Sequence, residues 1–253
     1  MKEVRFSDSP HILGVNRRDY NGNTDVTVPD CCWDILVIKY DGQTQVVLTG
    51  TITQPIPLEF PPGTEVMNIT FQPDTFLSDF PAPKMLNNGV ELPSAGKNKV
   101  WLGSEIIEVP TFDNAEEFVG KLRKTGSMKN DKLVGRILEG KSMAASERSV
   151  QRHFMQTTGM TMKFIQQVQR AQSAVDLLRQ GRRIVDIAHA LGYTDQAHMT
   201  RSLKGIMGIT PAAIAQGAKA PPTNCPYCVQ SWLHQTGVMD GRHHHSPYPQ
   251  AML

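Results

Sequence analysis

Short runs of apolar and β-branched residues dominate the first 110 positions of the chain. Each run is rich in Val, Ile, Thr or aromatic residues and is bounded by Gly, Pro, Asp or Asn, a pattern typical of strands separated by turns. The predicted strands are Asp25–Val28, Trp33–Tyr40, Gln45–Ile52, Ile56–Phe60 and Val66–Phe71. An Asp-Gly pair at 41–42 predicts a tight hairpin between the second and the third. The spacing predicts an antiparallel β barrel or sandwich over residues 1–110.

The hydrophobic period changes to that of helices after residue 110. Phe164, Val168, Ala171, Val175 and Leu178 recur at intervals of three and four, which predicts a long helix with one buried stripe. Further helices are predicted at 113–126, 130–138, 146–159, 184–192 and 195–208, with a glycine at or near the end of each. The chain is therefore predicted to be an α+β protein, with an all-α domain at 127–216.

Residues 111–126 are predicted to form a linker helix between the two parts. Asp113 and Glu116 have the spacing of a capping box, in which the second side chain returns to the backbone of the first residue. The apolar face of this helix is short, so it is predicted either to pack on the β-rich region or to contribute to a dimer contact.

The stretch 184–208 has the pattern of a helix-turn-helix unit. Gly192 can take the left-handed conformation that the turn needs, and small Ala188 allows the two helices to cross closely. Thr194 and Asp195 are placed to cap the second helix.

An earlier stretch repeats this unit. Ser146, Val150 and Arg152 each lie 49 positions before a similar residue, namely Asp195, Met199 and Arg201. The earlier unit is less regular, because residues 140–145 replace the tight glycine turn. Two helix-turn-helix units joined by a long helix are predicted.

Charge and proline divide the chain at the same place. Residues 1–110 hold 8 basic and 14 acidic residues, a net charge of −6, whereas residues 111–215 hold 16 and 9, a net charge of +7. Eleven of the 17 prolines lie in the first block and one, Pro211, in the second. Because proline is excluded from helix interiors, this agrees with strands followed by helices. The basic block favours a nucleic-acid partner.

The composition argues against several classes of protein. No apolar run approaches the roughly 20 residues that a membrane helix needs, and the first residues lack the apolar core of a secretory signal. Four cysteines are too few for a disulfide scaffold, so a reducing cytoplasmic location is expected. No nucleophile elbow or phosphate-binding loop is visible, and neither an enzymatic activity nor a cofactor is expected.

Residues 146–211 resemble the DNA-binding domain of AraC-type transcriptional regulators. The resemblance rests on Ser146-Glu147-Arg148-Ser149-Val150-Gln151-Arg152-His153-Phe154, Thr158-Gly159, Asp186-Ile187-Ala188, Leu191-Gly192-Tyr193 and Gly208-Ile209-Thr210-Pro211. The block Val28-Pro29-Asp30-Cys31-Cys32-Trp33-Asp34 is similar to the start of the jelly-roll-like sensor domain of some members, although the familiar pattern has Gly where this chain has Cys31. The resemblance implies a regulator whose first domain binds an effector or dimerises.

Two recognition helices of this kind can enter adjacent major grooves of double-stranded DNA. The side chains on their first turns are the candidates for contact with DNA, and the resemblance places them at positions that contact bases or backbone. They are Arg148, Gln151 and Arg152 in the first unit, and Gln196, His198, Thr200 and Arg201 in the second. Lys204 is better placed for contact with a phosphate, which positions the protein without specifying sequence.

The β-rich region offers weaker candidates for an effector site. Trp33, Asp34 and Phe71 could line a ligand cavity, or the aromatic residues could belong to the core. Cys31 and Cys32 are expected to face opposite ways as neighbours in a strand. His11 is the only histidine before residue 153, which argues against a histidine-ligated metal centre in this region.

The tail at 217–253 has no sustained period and holds five prolines, so disorder is the first expectation. Cys225, Cys228, His234 and His243 could complete a zinc site, and the two thiols could alternatively form a redox switch.

The sequence thus favours a transcriptional regulator that binds a specific DNA sequence. Its expected partners are double-stranded DNA, a small-molecule effector, a second copy of the chain and, if it activates transcription, RNA polymerase. A regulator that responds to metal or redox state through its tail, a DNA-binding protein whose first domain only dimerises, and a β-barrel enzyme fused to such a domain remain alternatives. The effector, the operator and the sign of regulation stay open.

Overall fold

The computed structural model describes residues 2–22, 24–141 and 144–218. Within them a region rich in antiparallel sheet is followed by a helical region, which confirms the predicted fold class. The strands are β1 (Lys2–Phe6), β2 (Ile12–Tyr20), β3 (Asp25–Thr27), β4 (Asp34–Tyr40), β5 (Gln43–Thr49), β6 (Ile56–Leu58), β7 (Thr64–Phe71), β8 (Thr75–Leu77), β9 (Gly89–Glu91), β10 (Lys99–Leu102), β11 (Glu105–Glu108) and β12 (Met128–Asn130). The helices are α1 (Ala82–Met85), α2 (Ala115–Thr125), α3 (Lys132–Leu138), α4 (Glu147–Thr158), α5 (Met162–Arg179), α6 (Ile184–Ala190), α7 (Gln196–Met207) and α8 (Pro211–Ala215).

The main sheet has six antiparallel strands in the order β1-β2-β7-β4-β5-β9. All five predicted strands form close to the expected place, and three of them, β4, β5 and β7, belong to this sheet, whereas its other strands, β1, β2 and β9, were not predicted. The polar segment Asn16-Arg17-Arg18-Asp19 hides the strand pattern of β2 in the sequence. Strand β2 forms because it pairs with both β1 and β7. The other two predicted strands, β3 and β6, pair with each other in a separate two-stranded sheet.

One face of the main sheet forms the first hydrophobic core, and α2 completes it. Ala115, Phe118, Val119 and Leu122 of α2 are buried there together with residues of β2, β4, β5 and β7. The capping box predicted at the start of α2 does not form. Asn114 occupies the N-cap without a side-chain bond, and the Glu116 carboxylate pairs instead with Arg5 of β1. Helix α2 is therefore tied to the sheet by an ion pair as well as by its apolar face.

The second core lies among the helices and surrounds α5. Phe154 of α4, Val168 and Val175 of α5 and Leu203 of α7 are fully buried in it. The helix predicted at 130–138 begins later, at Lys132, because residues 128–130 form β12 and pair with β8 of the β-rich region.

The loop before β4 joins the two regions. Val28 and Cys31 are buried in the second core, so the β-rich region contributes side chains to the helical one. Cys31 has a backbone φ of 65°, in the left-handed region that glycine adopts without strain. The strand alternation expected at Cys31 and Cys32 is therefore wrong: β4 begins only at Asp34, and both thiols are buried.

Candidate nucleic-acid interface

Helices α4 and α7 are copies of one unit in their length and at both ends. Each has 12 residues, and every position of α7 lies 49 after its counterpart in α4. The side chains of Ser146 and Asp195 cap the N-termini, each accepting a backbone N–H three residues on. Gly159 and Gly208 end the helices in the left-handed conformation, with φ of 70° and 71°. The predicted repeat is therefore a structural one.

The repeat extends beyond the recognition helices. Thr161 and Thr210, again 49 positions apart, cap the helices that follow, α5 and α8, through their hydroxyl oxygens. The helices that precede them, α3 and α6, have seven residues each. Eight positions separate Leu138 from Ser146, and five separate Ala190 from Asp195, so the first turn is three residues longer than the second.

A tight turn joins α6 to α7. Gly192 has φ of 66°, and the Tyr193 backbone N–H donates to the Ala188 carbonyl at 2.9 Å. Ala188 is buried where the helices cross. The Tyr193 ring is buried with the Arg170 guanidinium 4.8 Å from its centroid, and burial raises the pKa of the Tyr193 hydroxyl. The turn thus has the geometry that its sequence predicts.

Asp131 holds the first unit together. One of its carboxylate oxygens, Oδ1, caps α3 by accepting the N–H groups of Leu133 and Val134. The other, Oδ2, lies 2.6 Å from Nδ1 of His153 and accepts the Thr157 hydroxyl, both on α4. His153 therefore has a structural role in clamping α4 to α3. Asp131 was not among the predicted functional residues, although an aspartate just before a helix is a capping signal.

The predicted DNA-contacting residues lie on the N-terminal and middle turns of α4 and α7, except Lys204, which lies in the last turn of α7. Arg148, Gln151, Arg152, Gln196, Arg201 and Lys204 are exposed. Within the described part of the chain, none of the four cations among them has an ion-pair or hydrogen-bond partner. By contrast, Arg183 near the start of α6 binds both carboxylate oxygens of Asp186, which raises the pKa of the guanidinium. The recognition helices thus keep their positive charges available.

His198 and Thr200 are half-buried and partly engaged. Nδ1 of His198 accepts the Thr194 backbone N–H at 3.3 Å, and its ring stands edge-on to Tyr193 at 5.3 Å. In this tautomer Nε2 carries the proton, so it can donate a hydrogen bond. The Thr200 hydroxyl donates to the Gln196 carbonyl at 2.8 Å and retains its acceptor capacity.

The opposite, C-terminal ends of both recognition helices face the β-rich region. The Trp33 indole N–H donates to the Thr157 carbonyl at 3.0 Å, and the Thr51 hydroxyl donates to the Thr158 carbonyl. A Cβ on Gly159 would lie 2.7 Å from the Ala82 carbonyl oxygen. A Cβ on Gly208 would touch the Pro55 ring at 3.3 Å. Both helices therefore present their reading residues away from this contact.

The effector candidates of the β-rich region lie in or beside the first core. Trp33 and Phe71 have no exposed surface. Asp34 accepts the Thr70 hydroxyl at 2.6 Å, and burial raises the pKa of the Asp34 carboxyl. Two surface cavities of the described residues are lined by other side chains.

The zinc and redox predictions fall on Cys225, Cys228, His234 and His243, which lie outside the described residues. Among residues 2–218 that the structure describes, no group of three or more His, Cys, Asp or Glu side chains could hold a metal ion. No helix of the same residues is long and apolar enough to cross a membrane.

Comparison with known proteins identifies the helical region. Residues 140–217 match a family model described as a helix-turn-helix domain, and they form such a domain of the AraC type, which confirms the predicted resemblance. An apo ToxT variant from Vibrio cholerae strain SCE256 has a similar solved structure, at 12% sequence identity and a TM-score of 0.40, over 85% of this chain and 100% of that one. No curated protein matches the chain.

Proposed function

We propose that this chain, which carries an AraC-type helix-turn-helix domain, is a transcriptional regulator that binds a specific sequence in double-stranded DNA. The observation that carries the proposal is the pair of matched helices, α4 and α7. They share length, caps and an exposed arginine at the same position, Arg152 and Arg201, without a partner in the described residues. Free arginines on an exposed helix face are the groups that read guanine in the major groove.

Each residue of the interface has a chemistry that suits DNA. Arg148, Arg152 and Arg201 suit bidentate contact with guanine O6 and N7, and Gln151 and Gln196 suit adenine N6 and N7. His198 Nε2 and the Thr200 hydroxyl suit single hydrogen bonds to a base edge or a phosphate, and Lys204 suits a phosphate. Two such helices bind adjacent major grooves on one face of the duplex, about 34 Å apart.

The β-rich region is proposed to regulate this activity in the cytoplasm. Its net negative charge disfavours contact with phosphates, which supports a role in binding an effector or a second copy of the chain. Because Trp33 and Phe71 have no exposed surface, only Asp34 is kept as a proposed effector contact. RNA polymerase is the expected partner of an activator. We propose domain boundaries after residues 110, 126 and 216, which separate the β-rich region, the linker helix, the DNA-binding domain and the tail. We assign the chain no enzymatic activity.

Selection of DNA by the purified full-length chain from a random pool tests the proposal. We expect one enriched sequence with two half-sites about one helical turn apart. The affinity for that sequence should fall steeply with salt concentration, because bound cations release counterions from the phosphates. A pool without enrichment after repeated selection would refute the proposal.

A further inference from the structure

A cleft of about 360 Å³ lies where the β-rich region, α2 and α3 meet. His11, Gln72 and Asp74 line it from the β-rich region, and Arg123 lines it from α2. Lys132 and Glu139 line it from α3, the first helix of the helix-turn-helix domain's upstream unit. Sites for small molecules have volumes of roughly 300–1,000 Å³, so the cleft has room for a small metabolite.

The two carboxyl groups of the cleft already interact with other residues. Glu139 Oε2 lies 2.6 Å from Nζ of Lys141. Asp74 Oδ1 accepts the Asn130 amide at 2.9 Å, and burial raises the pKa of the Asp74 carboxyl. Its other oxygen faces α3, where a Cβ on Gly135 would lie 2.8 Å away. Glu139 is thus paired with a cation, and burial disfavours the charged form of Asp74.

The two cations of the cleft are not compensated. Arg123 donates a hydrogen bond to the neutral side chain of Asn130, and no carboxylate of the described residues lies within ion-pair distance of it. Lys132 is exposed and has no partner among the same residues. Burial and the Arg123 charge lower the pKa of His11, which favours the neutral form of its ring.

Two polar atoms beside the cleft also lack partners. Nδ1 of His11 and Oε1 of Gln72 are buried and make no hydrogen bond within the described part of the chain. Buried polar atoms almost always have a partner, and each exception calls for one. The cleft therefore presents two cations without an ion-pair partner among the described residues, next to two residues whose unsatisfied polar atoms are buried beneath its surface.

We propose that this cleft binds a small anionic molecule, one that bears a carboxylate or a phosphate group, between Arg123 and Lys132. Such a ligand bridges α2, which is part of the first core, and α3, which Asp131 clamps to α4. Anion binding therefore fixes the first recognition helix relative to the β-rich region. The binding site stands without reference to DNA, whereas its role as an effector site rests on the proposed function.

Thermal unfolding of the full-length chain with inorganic phosphate or succinate, at constant ionic strength set with chloride, tests the binding site. A ligand that binds only the folded state raises Tm, and the stabilisation grows with the logarithm of the ligand concentration once this exceeds Kd. We expect a concentration-dependent rise with at least one of the two anions. Arg123→Gln and Lys132→Gln should each weaken the affinity, measured by calorimetry, by at least tenfold.

Arg136→Gln is the matched control, because Arg136 is an exposed cation on the same helix but does not line the cleft. It should bind the anion like the wild type. The proposed site would be wrong if all three variants lost affinity for the anion equally, or if the anions raised Tm no more than chloride does. Weaker DNA binding by Lys132→Gln, with no anion effect on Tm in the wild type, would assign these cations to DNA phosphate instead. A separate DNA titration with and without the anion tests the effector role.

Discussion

The indole N–H of Trp33 donates a hydrogen bond to the carbonyl oxygen of Thr157, 124 positions away along the chain. Trp33 immediately precedes β4, and Thr157 lies in the last turn of the first recognition helix. Both residues are fully buried. The carbonyl groups of a helix's last turn have no partner inside the helix, so the β-rich region supplies one.

Trp33→Phe should lower the free energy of unfolding by about 1–3 kcal/mol, since it leaves the Thr157 carbonyl buried without a donor. The smaller ring adds a cavity to this loss. Urea unfolding measures the change. Trp101→Phe is the control, because Trp101 is 41% exposed, and it should change stability by no more than about 0.5 kcal/mol. Equal effects of the two substitutions would show that the indole bond contributes nothing.

Gly159→Ala should destabilise the fold more than Gly192→Ala. Both glycines have a left-handed backbone, with φ of 70° and 66°, so alanine is strained by about 1 kcal/mol at either site. Only at Gly159 would the new Cβ also meet backbone, 2.7 Å from the Ala82 carbonyl oxygen. Thermal unfolding of the two variants, measured side by side, checks the order. The reverse order would contradict the close approach of α4 to the β-rich region.

Arg201→Ala and Arg152→Ala should each weaken binding to the selected DNA sequence by about 1–3 kcal/mol. Neither should change the stability of the free protein, since both side chains are exposed and have no partner in the described residues. Fluorescence anisotropy with the selected and a scrambled duplex separates specific from non-specific loss. Lys97→Ala, an exposed cation of the β-rich region, serves as control. Wild-type affinity in Arg201→Ala would show that α7 is not a reading helix.

Cys31→Gly should be more stable than Cys31→Ala by about 1 kcal/mol, because φ of 65° strains any side chain and not glycine. Both variants lose the buried thiol, so their difference isolates the backbone. The order should invert at Cys32, which lacks a positive φ, with Ala about 0.4–1 kcal/mol more stable than Gly. Chemical denaturation of the four variants gives both comparisons. The same order of stability at Cys31 and Cys32 would contradict backbone strain at Cys31.

Glu116 should make stability depend on pH in the acid range. Two hydrogen bonds from Arg5 lower the pKa of the Glu116 carboxyl from 4.5 to about 2. The folded state therefore holds this proton less tightly than the unfolded state. The stabilisation is fully present above the unfolded pKa of 4.5, and it is lost as the pH falls through about 2.

Because the Glu116 side chain is 39% exposed, solvent screens the pair and its contribution at neutral pH should not exceed about 1 kcal/mol. Glu116→Gln should therefore be less stable than the wild type at pH 7. The gap between their free energies of unfolding should narrow between pH 4.5 and pH 2. Unfolding by urea at a series of pH values measures the gap. A gap that stays constant across this range would contradict the ion pair.

The sequence by itself determined the local features of the molecule. The cap Asp195, the glycine ends and the 49-residue repeat all lie where the sequence predicts them. These features depend on interactions within four residues, or on a period that burial of one helix face imposes, so they can be inferred without the fold. The predicted helical repeat and the exposure of Arg152 and Arg201 follow from the same local rules.

Only the tertiary structure decided which distant residues meet. Glu116 has the spacing of a cap but pairs with Arg5, 111 positions earlier, and β2 is a strand because two neighbours pair with it. The aromatic side chain of Trp33 suits either a ligand pocket or a hydrophobic core, and its hydrogen bond to Thr157 of α4 determines where it lies. Such contacts form because the packing of two cores brings remote segments together, and no short-range pattern in the sequence encodes that packing.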